Sequence, residues 1–392
     1  MSQDELYDYI IAGGGLAGLS LACAMVHSGL RERRILVVEQ VPEKGNDRTW
    51  GFWTRRRTRF DAAISHTWER MRVSGEGFDR VLDLGDYRYA VIRGDDFYAL
   101  ARRELEAAPA VRILNGTVER IEDGQERATV IVDGQPIYAR WVFDSVPAAP
   151  RTEGGEFQWI RMHFRGWEIE TERAVFDPRT LTFLDFRTPQ LGEMRFFYVL
   201  PFTAQRALVE FTVFSRDVLN REAYEQALRD YLGGTLGVTD YRLLSEERGS
   251  VLITDDPLRR VLGRRVMAIG ARAGRVKPST GYAFMRVQQD SDEIVQSLLL
   301  YGHPFSVPDD PDLYDVLDAV MLRVIDSHGD AIKPAFSEMF RRNPVRSILS
   351  FLDEQSSPWE ALALIASMPT GVFLKAFVQV VARENLFDIM EG

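Results

Sequence analysis

YDYIIAGGGLAGLS, residues 7–20, decides the fold of this 392-residue chain. Tyr7–Ala12 is a short run of β-formers, and Leu16–Ser28 carries apolar residues at helical spacing, with Gly29 where a helix C-cap belongs. Between them Gly13-Gly14-Gly15-Leu16-Ala17-Gly18 spells G-x-G-x-x-G between a strand and a helix, where that pattern has a physical meaning. Gly13 permits the tight turn, Gly15 leaves room for a pyrophosphate against the backbone, and Gly18 lets helix and strand pack closely. Leu16 and Ala17 open the helix, whose free N–H groups then face the phosphates. Arg34–Glu39 (RILVVE) reads as a second buried strand, and Glu39 at its end, 21 residues after Gly18, is placed to accept from ribose hydroxyls. The alternative, a glycine-rich turn beside a solvent glutamate, leaves this full strand–turn–helix–strand context without a cause.

A second constellation lies far along the chain, at Ile269–Tyr282 (IGARAGRVKPSTGY). Gly270, Gly274 and Gly281 allow close backbone approach, Pro278 fixes the loop, and the helix expected from about Gly281 offers the cofactor another N-terminus. Thr280 and Tyr282 fall in the same loop. Many FAD enzymes carry an Asp directly after the first Gly of this segment, whereas this chain has Ala271. Read alone, the segment is also compatible with a plain strand–loop–helix joint. With the first βαβ unit it points to FAD as the dinucleotide.

Between these two segments the pattern changes. Asp95–Ala107 reads as a helix, Val111–Asp133 as a small meander, and Trp141–Asp144 as a short apolar strand. From Phe157 onward come aromatic-rich alternating strands: Trp159–Glu170, Leu181–Arg187, Arg195–Leu200 and Arg206–Ser215, punctuated by Pro178, Pro189 and Pro201. The expected architecture is α/β. A Rossmann-type FAD-binding domain of the glutathione-reductase-like or hydroxylase-like kind spans 1–150 and 245–310. An antiparallel substrate sheet is inserted at 151–244, and a helical C-terminal region covers 311–392.

Composition narrows the partners. A formal net charge of −10 argues against nucleic acid, which demands concentrated Lys and Arg. The five histidines are scattered and pair with no cysteine, so no metal site is expected. One cysteine, Cys23, excludes an intrachain disulfide, points to a reducing compartment and falls inside the first helix, where packing is its default role. The polar, acidic Met1–Asp8 is not expected to be a signal peptide, and no run of eighteen apolar residues spans a membrane.

Two further segments carry candidate chemistry. Asp47–Trp53 (DRTWGFW) holds Trp50, Phe52 and Trp53 within four residues; such a cluster reads first as core, and alternatively as the wall of a channel for a long apolar substrate. On the strand from Arg206, Leu208, Glu210, Thr212 and Phe214 point one way, and Ala207, Val209, Phe211 and Val213 the other. Glu210 is then an acid in apolar surroundings, whose pKa should rise and which should serve as a proton donor. An ordinary ion pair with Arg206 or Arg195 accounts for its position equally well.

Together these segments resemble the lycopene cyclase family of carotenoid biosynthesis, and the resemblance covers nearly the whole chain. AGRVKPSTGY is similar to that family's AG-x-x-x-P-(S/T)-T-G-Y segment, a family that also lacks the Asp after the first Gly. Arg48-Thr49-Trp50-Gly51-Phe52-Trp53 resembles its T-W-x-F segment. Leu200-Pro201-Phe202 through Glu210 resembles its block ending in the proposed catalytic Glu. Ser245-Glu246-Glu247-Arg248-Gly249 resembles its E-E-x-G stretch, and Phe351-Leu352-Asp353-Glu354 fits bacterial members. Two departures stand out: Val251-Leu252-Ile253-Thr254 follows where Ile-Pro-Met is usual, and Lys277 replaces the common His before Pro278.

The resemblance implies a β-ring-forming cyclase that acts on the linear ψ-ends of lycopene or a similar carotene. It implies Glu210 as the acid, reduced FAD as cofactor and NAD(P)H as electron source. Trp50, Phe52, Trp53, Phe197 and Phe211 would meet the substrate. It also implies a cytoplasmic protein peripheral to the inner face of the cell membrane, with the apolar helix near Gly371–Ala382 as candidate docking element. Two rivals keep the fold. One is an FAD monooxygenase or prenyl-chain reductase, disfavoured because Asp144 is followed by Ser145 rather than Gly. The other is a non-catalytic flavin- and lipid-binding protein, in which Glu210 would have no use.

Overall fold

The computed structural model describes residues 6–41, 44–146, 157–309, 311–369 and 371–391, with the backbone alone at 312 and 384–391. Along the chain run β1 (Leu6–Ala12), α1 (Leu16–Val26), β2 (Ile35–Glu39), β3 (Thr49–Thr54), β4 (Ile64–Trp68), β5 (Arg70–Gly75), β6 (Phe78–Asp83), β7 (Arg88–Arg93) and α2 (Gly94–Glu106). There follow β8 (Val111–Asn115), β9 (Val118–Glu122), β10 (Ala128–Val132), β11 (Gln135–Asp144), β12 (Trp159–Glu170), β13 (Thr180–Asp185), β14 (Met194–Pro201), β15 (Arg206–Ser215), α3 (Arg221–Asp230), β16 (Arg242–Thr254) and β17 (Val266–Ala268). The chain then turns helical: α4 (Phe284–Tyr301), α5 (Asp312–His328), α6 (Ile332–Arg342), α7 (Val345–Leu352), α8 (Pro358–Ala366) and α9 (Gly371–Glu391).

The first sheet has the order β8-β2-β1-β11-β10-β9, with β17 beside β11. β1, β2, β8, β11 and β17 pair in parallel, and β9 and β10 add an antiparallel flap. Parallel strands covered on both faces must be apolar throughout, and β2 obeys: Ile35 and Val37 pack toward α1, α2 and α4, while Leu36 and Val38 pack toward the flap. Helix α1 is buried from Gly18 to Met25, Cys23 included, and burial pushes that thiol far above its usual range, as a packing role requires. The helix ends at Val26, with Gly29 outside the left-handed region. Gly29 serves instead as a contact, since a Cβ there would stand 3.1 Å from Leu299 of α4.

The second sheet has the order β16-β12-β15-β14-β13-β5-β6. It reaches beyond 151–244 on both sides. β16 extends it to Thr254, and β5 and β6 come from the N-terminal stretch, β5 pairing in parallel with β13. The expected boundaries are corrected accordingly; the one at 150/151 lies outside the described residues. Local pattern revealed β12–β15, but β16 is a polar, part-exposed edge strand and β5 a short strand between β13 and β6, and only the long-range ladder reveals their membership. One face of this sheet packs on α3 through Trp167, Val199, Ala207, Val209 and Val213. Part of the other packs on the C-terminal helices, through Met194, Phe196, Leu200, Leu208 and Phe214 against Leu322, Phe336, Phe340 and Ile348. The small sheet β3-β7-β4 bridges the two large ones.

Lys277, in the loop after β17, ties the C-terminal helices to the first domain. Its buried ammonium lies 3.0 Å from Asp318 of α5 and 2.5 Å from Glu354, which also accepts from Arg286 of α4 at 2.6 Å. Burial opposes this charge, but Asp318 and Glu354 outweigh it and hold Lys277 above the ordinary lysine value.

Candidate active site

One cavity of about 570 Å³ runs from the glycine turn after β1 to the face of the second sheet. At its first end, Gly13 adopts φ 105°, which favours glycine, and a Cβ on Gly18 would stand 1.9 Å from the Gly13 carbonyl. Gly18 is therefore the close-packing position of the turn. A Cβ on Gly15 would meet no atom within 4 Å, so the space the pyrophosphate needs is open. No side chain caps α1 at Gly15, so its first N–H groups are left to a ligand. Glu39 accepts from the Gly14 N–H at 2.7 Å and from Lys44 at 2.7 Å, and these bonds outweigh burial and keep it ionised below its usual range. The loop after β17 closes this end. Gly270, Gly274 and Gly281 all have positive φ, and Gly270 lies so close to α1 that a Cβ would stand 2.5 Å from that of Ala17. These features fit a bound dinucleotide.

At the other end the wall is a single face of the second sheet. Side chains of directly paired residues share a face, and one row across the sheet reads Tyr198 (β14), Glu210 (β15), Gly166 (β12), Glu247 (β16). The next reads Phe196, Thr212, Phe164, Gly249. Gly249 makes room for the Phe164 ring, and Gly281 for Met162, whose sulfur a Cβ at 281 would meet at 2.2 Å. Tyr198 of this wall meets two tyrosines from outside the sheet: the Tyr282 hydroxyl lies 3.0 Å from that of Tyr89 and 3.2 Å from that of Tyr198. Burial pushes all three phenols well above their usual range, so they stay neutral.

Glu210 opens onto the cavity interior rather than onto bulk water. It accepts from Thr212 Oγ1 at 2.9 Å and contacts the carboxyl of Glu247. Arg206 is engaged by Glu168 at 2.5 Å and Arg195 by Glu193 at 2.5 Å, so neither ion pair considered for Glu210 forms. Burial first, then the neighbouring Glu247, raises Glu210 well above the ordinary carboxylate range. Glu168 shows the contrast: burial would raise it too, but Arg93 at 2.8 Å and Arg206 hold it low. Asp185 bonds to Arg187 and Tyr231 away from this face.

The cavity brings together Gly13, Gly15, Leu16, Ala17, Glu39, Gly270, Thr280, Gly281, Tyr282, Trp50 and Glu210. Gly18, Gly274 and Pro278 shape the turns behind it. Four expected substrate contacts are corrected. Phe52 is stacked on Phe284 at 4.4 Å in the first core, and Trp53 lies behind Tyr282 at 4.6 Å. Phe197 stacks on Phe211 and on Tyr231 on the opposite sheet face. Period two forces this, because if Tyr198 and Glu210 face the cavity their chain neighbours cannot. Sequence reading missed Glu247, Tyr89, Tyr198 and Gly166 as site residues. The Glu246-Glu247 doublet was a signal, but nothing local says which carboxylate turns inward. Among the described residues no acidic or histidine cluster could hold a metal, and no helix is long and apolar enough to cross a membrane.

The family model described as lycopene cyclase protein matches residues 8–377. A lycopene beta-cyclase of Pantoea ananas is 27% identical over 290 residues, covering 71% of each chain. The chloroplastic lycopene beta cyclase of Arabidopsis thaliana is 25% identical over 335 residues, 78% of this chain. The match spans only 63% of that plant relative's length. Among solved structures, a geranylgeranyl bacteriochlorophyll reductase-like protein of Thermoplasma acidophilum superposes with a TM-score of 0.62 at 13% identity, covering 96% of this chain and 99% of its own. HpxO of Klebsiella pneumoniae, solved in complex with FAD, gives 0.60 at 14%, covering 93% of this chain and all of that one. These two share the α/β flavoprotein fold.

Proposed function

Since the chain belongs to the lycopene cyclase family, we propose that it is a lycopene β-cyclase, which turns linear carotene ψ-ends into β-ionone rings without net redox change. The observation that carries this reading is Glu210: a half-buried carboxyl without an arginine partner, at the apolar wall of the cavity that begins at the dinucleotide turn. Burial and the neighbouring Glu247 favour the protonated form of such a group, which can deliver its proton to an alkene in a dry site.

Protonation of the terminal double bond gives a tertiary carbocation, the internal double bond attacks it, and loss of a ring proton leaves the cyclic alkene. The neutral faces of Trp50, Tyr198 and Tyr282 line the cavity and suit a developing cation. FAD would be held by Gly13, Gly15, Leu16, Ala17 and Glu39, with the loop around Gly270, Thr280 and Gly281. Reduced, it supplies a delocalised negative charge that favours the cation, with NAD(P)H as its electron source.

The membrane reading rests on α8 and α9, where Trp359, Leu362, Leu374, Phe377 and Val378 are exposed; Trp359 is 81% exposed. These exposed apolar side chains suit insertion into a lipid interface, which would let a carotene pass from the bilayer to a cytoplasmic protein on its inner leaflet. Phe377→Glu combined with Trp359→Glu should abolish co-sedimentation with liposomes; unchanged co-sedimentation would remove the assignment.

Expression in cells that accumulate lycopene tests the function. A product of equal mass with ring ends is expected, and Glu210→Gln should retain flavin and fold while making none. An oxygenated or hydrogenated product favours the monooxygenase or reductase.

A further inference from the structure

We infer that Glu210 and Glu247 form a one-proton carboxyl pair that meets over Gly166, gives a proton to the substrate and takes one back. This deepens the cyclase reading and rests on it.

Gly166 on β12 is the register partner of Glu210 on one side and of Glu247 on the other. Two glutamates on strands that flank a common neighbour normally have a side chain between them. Here there is none, and Glu247 and Leu208 lean into the gap: a Cβ at 166 would stand 3.0 Å from Glu247 Cγ, 3.0 Å from Leu208 Cδ1 and 3.4 Å from Glu247 Oε1.

The hydrogen bonds say which oxygens meet. Thr212 donates to Glu210 Oε1 at 2.9 Å, and Thr49 donates to Glu247 Oε2 at 2.7 Å. Glu247 Oε1 is buried with no donor of its own. A buried carboxylate oxygen without a partner is costly, and a proton carried by Glu210 satisfies it. One proton thus serves two carboxyl groups, each steadied by a threonine hydroxyl.

The groups facing the pair leave it as the unit that titrates. Tyr89, Tyr198 and Tyr282 are kept neutral by burial. Glu168 is kept ionised by Arg93 and Arg206, and Arg93 also lends positive charge to Glu247.

The chemistry balances. The Glu210 O–H bond breaks as a C–H bond forms at the substrate terminus, leaving two adjacent carboxylates as counter-charge to the carbocation. Ring closure forms the C–C bond, then a ring C–H bond breaks and its proton returns to the pair. Two like charges in a dry site bind that proton strongly, so the acid is restored without water or external base.

The experiment uses the full-length protein reconstituted with FAD and reduced, with lycopene in liposomes. Wild type should give a bell-shaped pH profile, requiring one carboxyl protonated and one ionised. Glu247→Gln should lower kcat by about 100-fold or more and lose the acid-side limb. The infrared carboxyl band of Glu210, read without turnover, should titrate at lower pH in that variant. Gly166→Ala, which pushes the pair apart, should shift the band the same way. Glu247→Asp, which keeps the charge, should restore the limb and guards against misfolding. An unmoved Glu210 band, or an intact acid limb in Glu247→Gln, overturns the pair. If Glu210→Gln is inactive while Glu247→Gln keeps the wild-type profile, the pair fails and the cyclase reading stands. If Glu210→Gln retains turnover, the cyclase acid itself is misassigned.

Discussion

Gly15 and Gly18 sit three residues apart and fail differently when substituted. Gly15 has φ −86°, tolerable for any residue, and its Cβ direction is empty. Gly15→Val should therefore fold with nearly wild-type melting temperature and lose flavin, since the branched side chain takes the space of the pyrophosphate; retained flavin absorbance would count against the cradle. Gly18→Val instead drives a side chain into the Gly13 carbonyl and should not fold. Asp353 offers a pH-dependent case. Burial raises it to about 7, although Arg55 opposes the shift. A carboxyl raised in the fold lends stability that is full below its ordinary range and is lost as pH rises through about 7. Asp353→Asn mimics the protonated form. It should be more stable than wild type at pH 8, by an amount on the order of a few kcal/mol, and match it at pH 4; an equal difference at both pH values would exclude this origin.

At the scale of elements, alternation along β14 and β15 separates the wall of the cavity from the core behind it. Phe211 stacks on Phe197 and Tyr224 lies edge-on to it, in a cluster capped by α3. Phe211→Ala should cost about 3–5 kcal/mol of stability while the protein that remains folded keeps its kcat/KM. A change in carotene preference, with stability untouched, would return Phe211 to the substrate channel. Trp50, one residue from the strand's other aromatics, lines the cavity, whereas Phe52 and Trp53 are sealed into two different cores. The three aromatics of one short strand thus serve three environments.

The whole molecule joins two sheets through one cavity, and the C-terminal helices are clamped to the loop after β17 by Lys277, Asp318 and Glu354. Lysine in place of the family's common histidine gives this clamp a permanent charge for two carboxylates. The cavity also bears on the cofactor. On the proposed reading, cyclisation returns an isomer, so no electrons would be consumed and the flavin would act as a fixed charge near the cation. Under anaerobic conditions, turnovers per electron pair should greatly exceed one, and deuterium placed at flavin N5 should be absent from the ring. One NAD(P)H consumed per ring without oxygen would favour the reductase alternative.

By itself the sequence determined the dinucleotide turn, the helix and strand around it, β12, β14 and β15. Each is set by short-range physics: a glycine pattern, or a period of 3.6 or of 2. The tertiary structure alone decided that β5 and β16 join the second sheet, that Phe197 and Phe211 turn from the cavity, and that Glu247 comes over Gly166 to Glu210. The two glutamates are 37 residues apart and on different strands. Their meeting depends on the register of two ladders against β12, and register is fixed by long-range packing that local pattern does not encode.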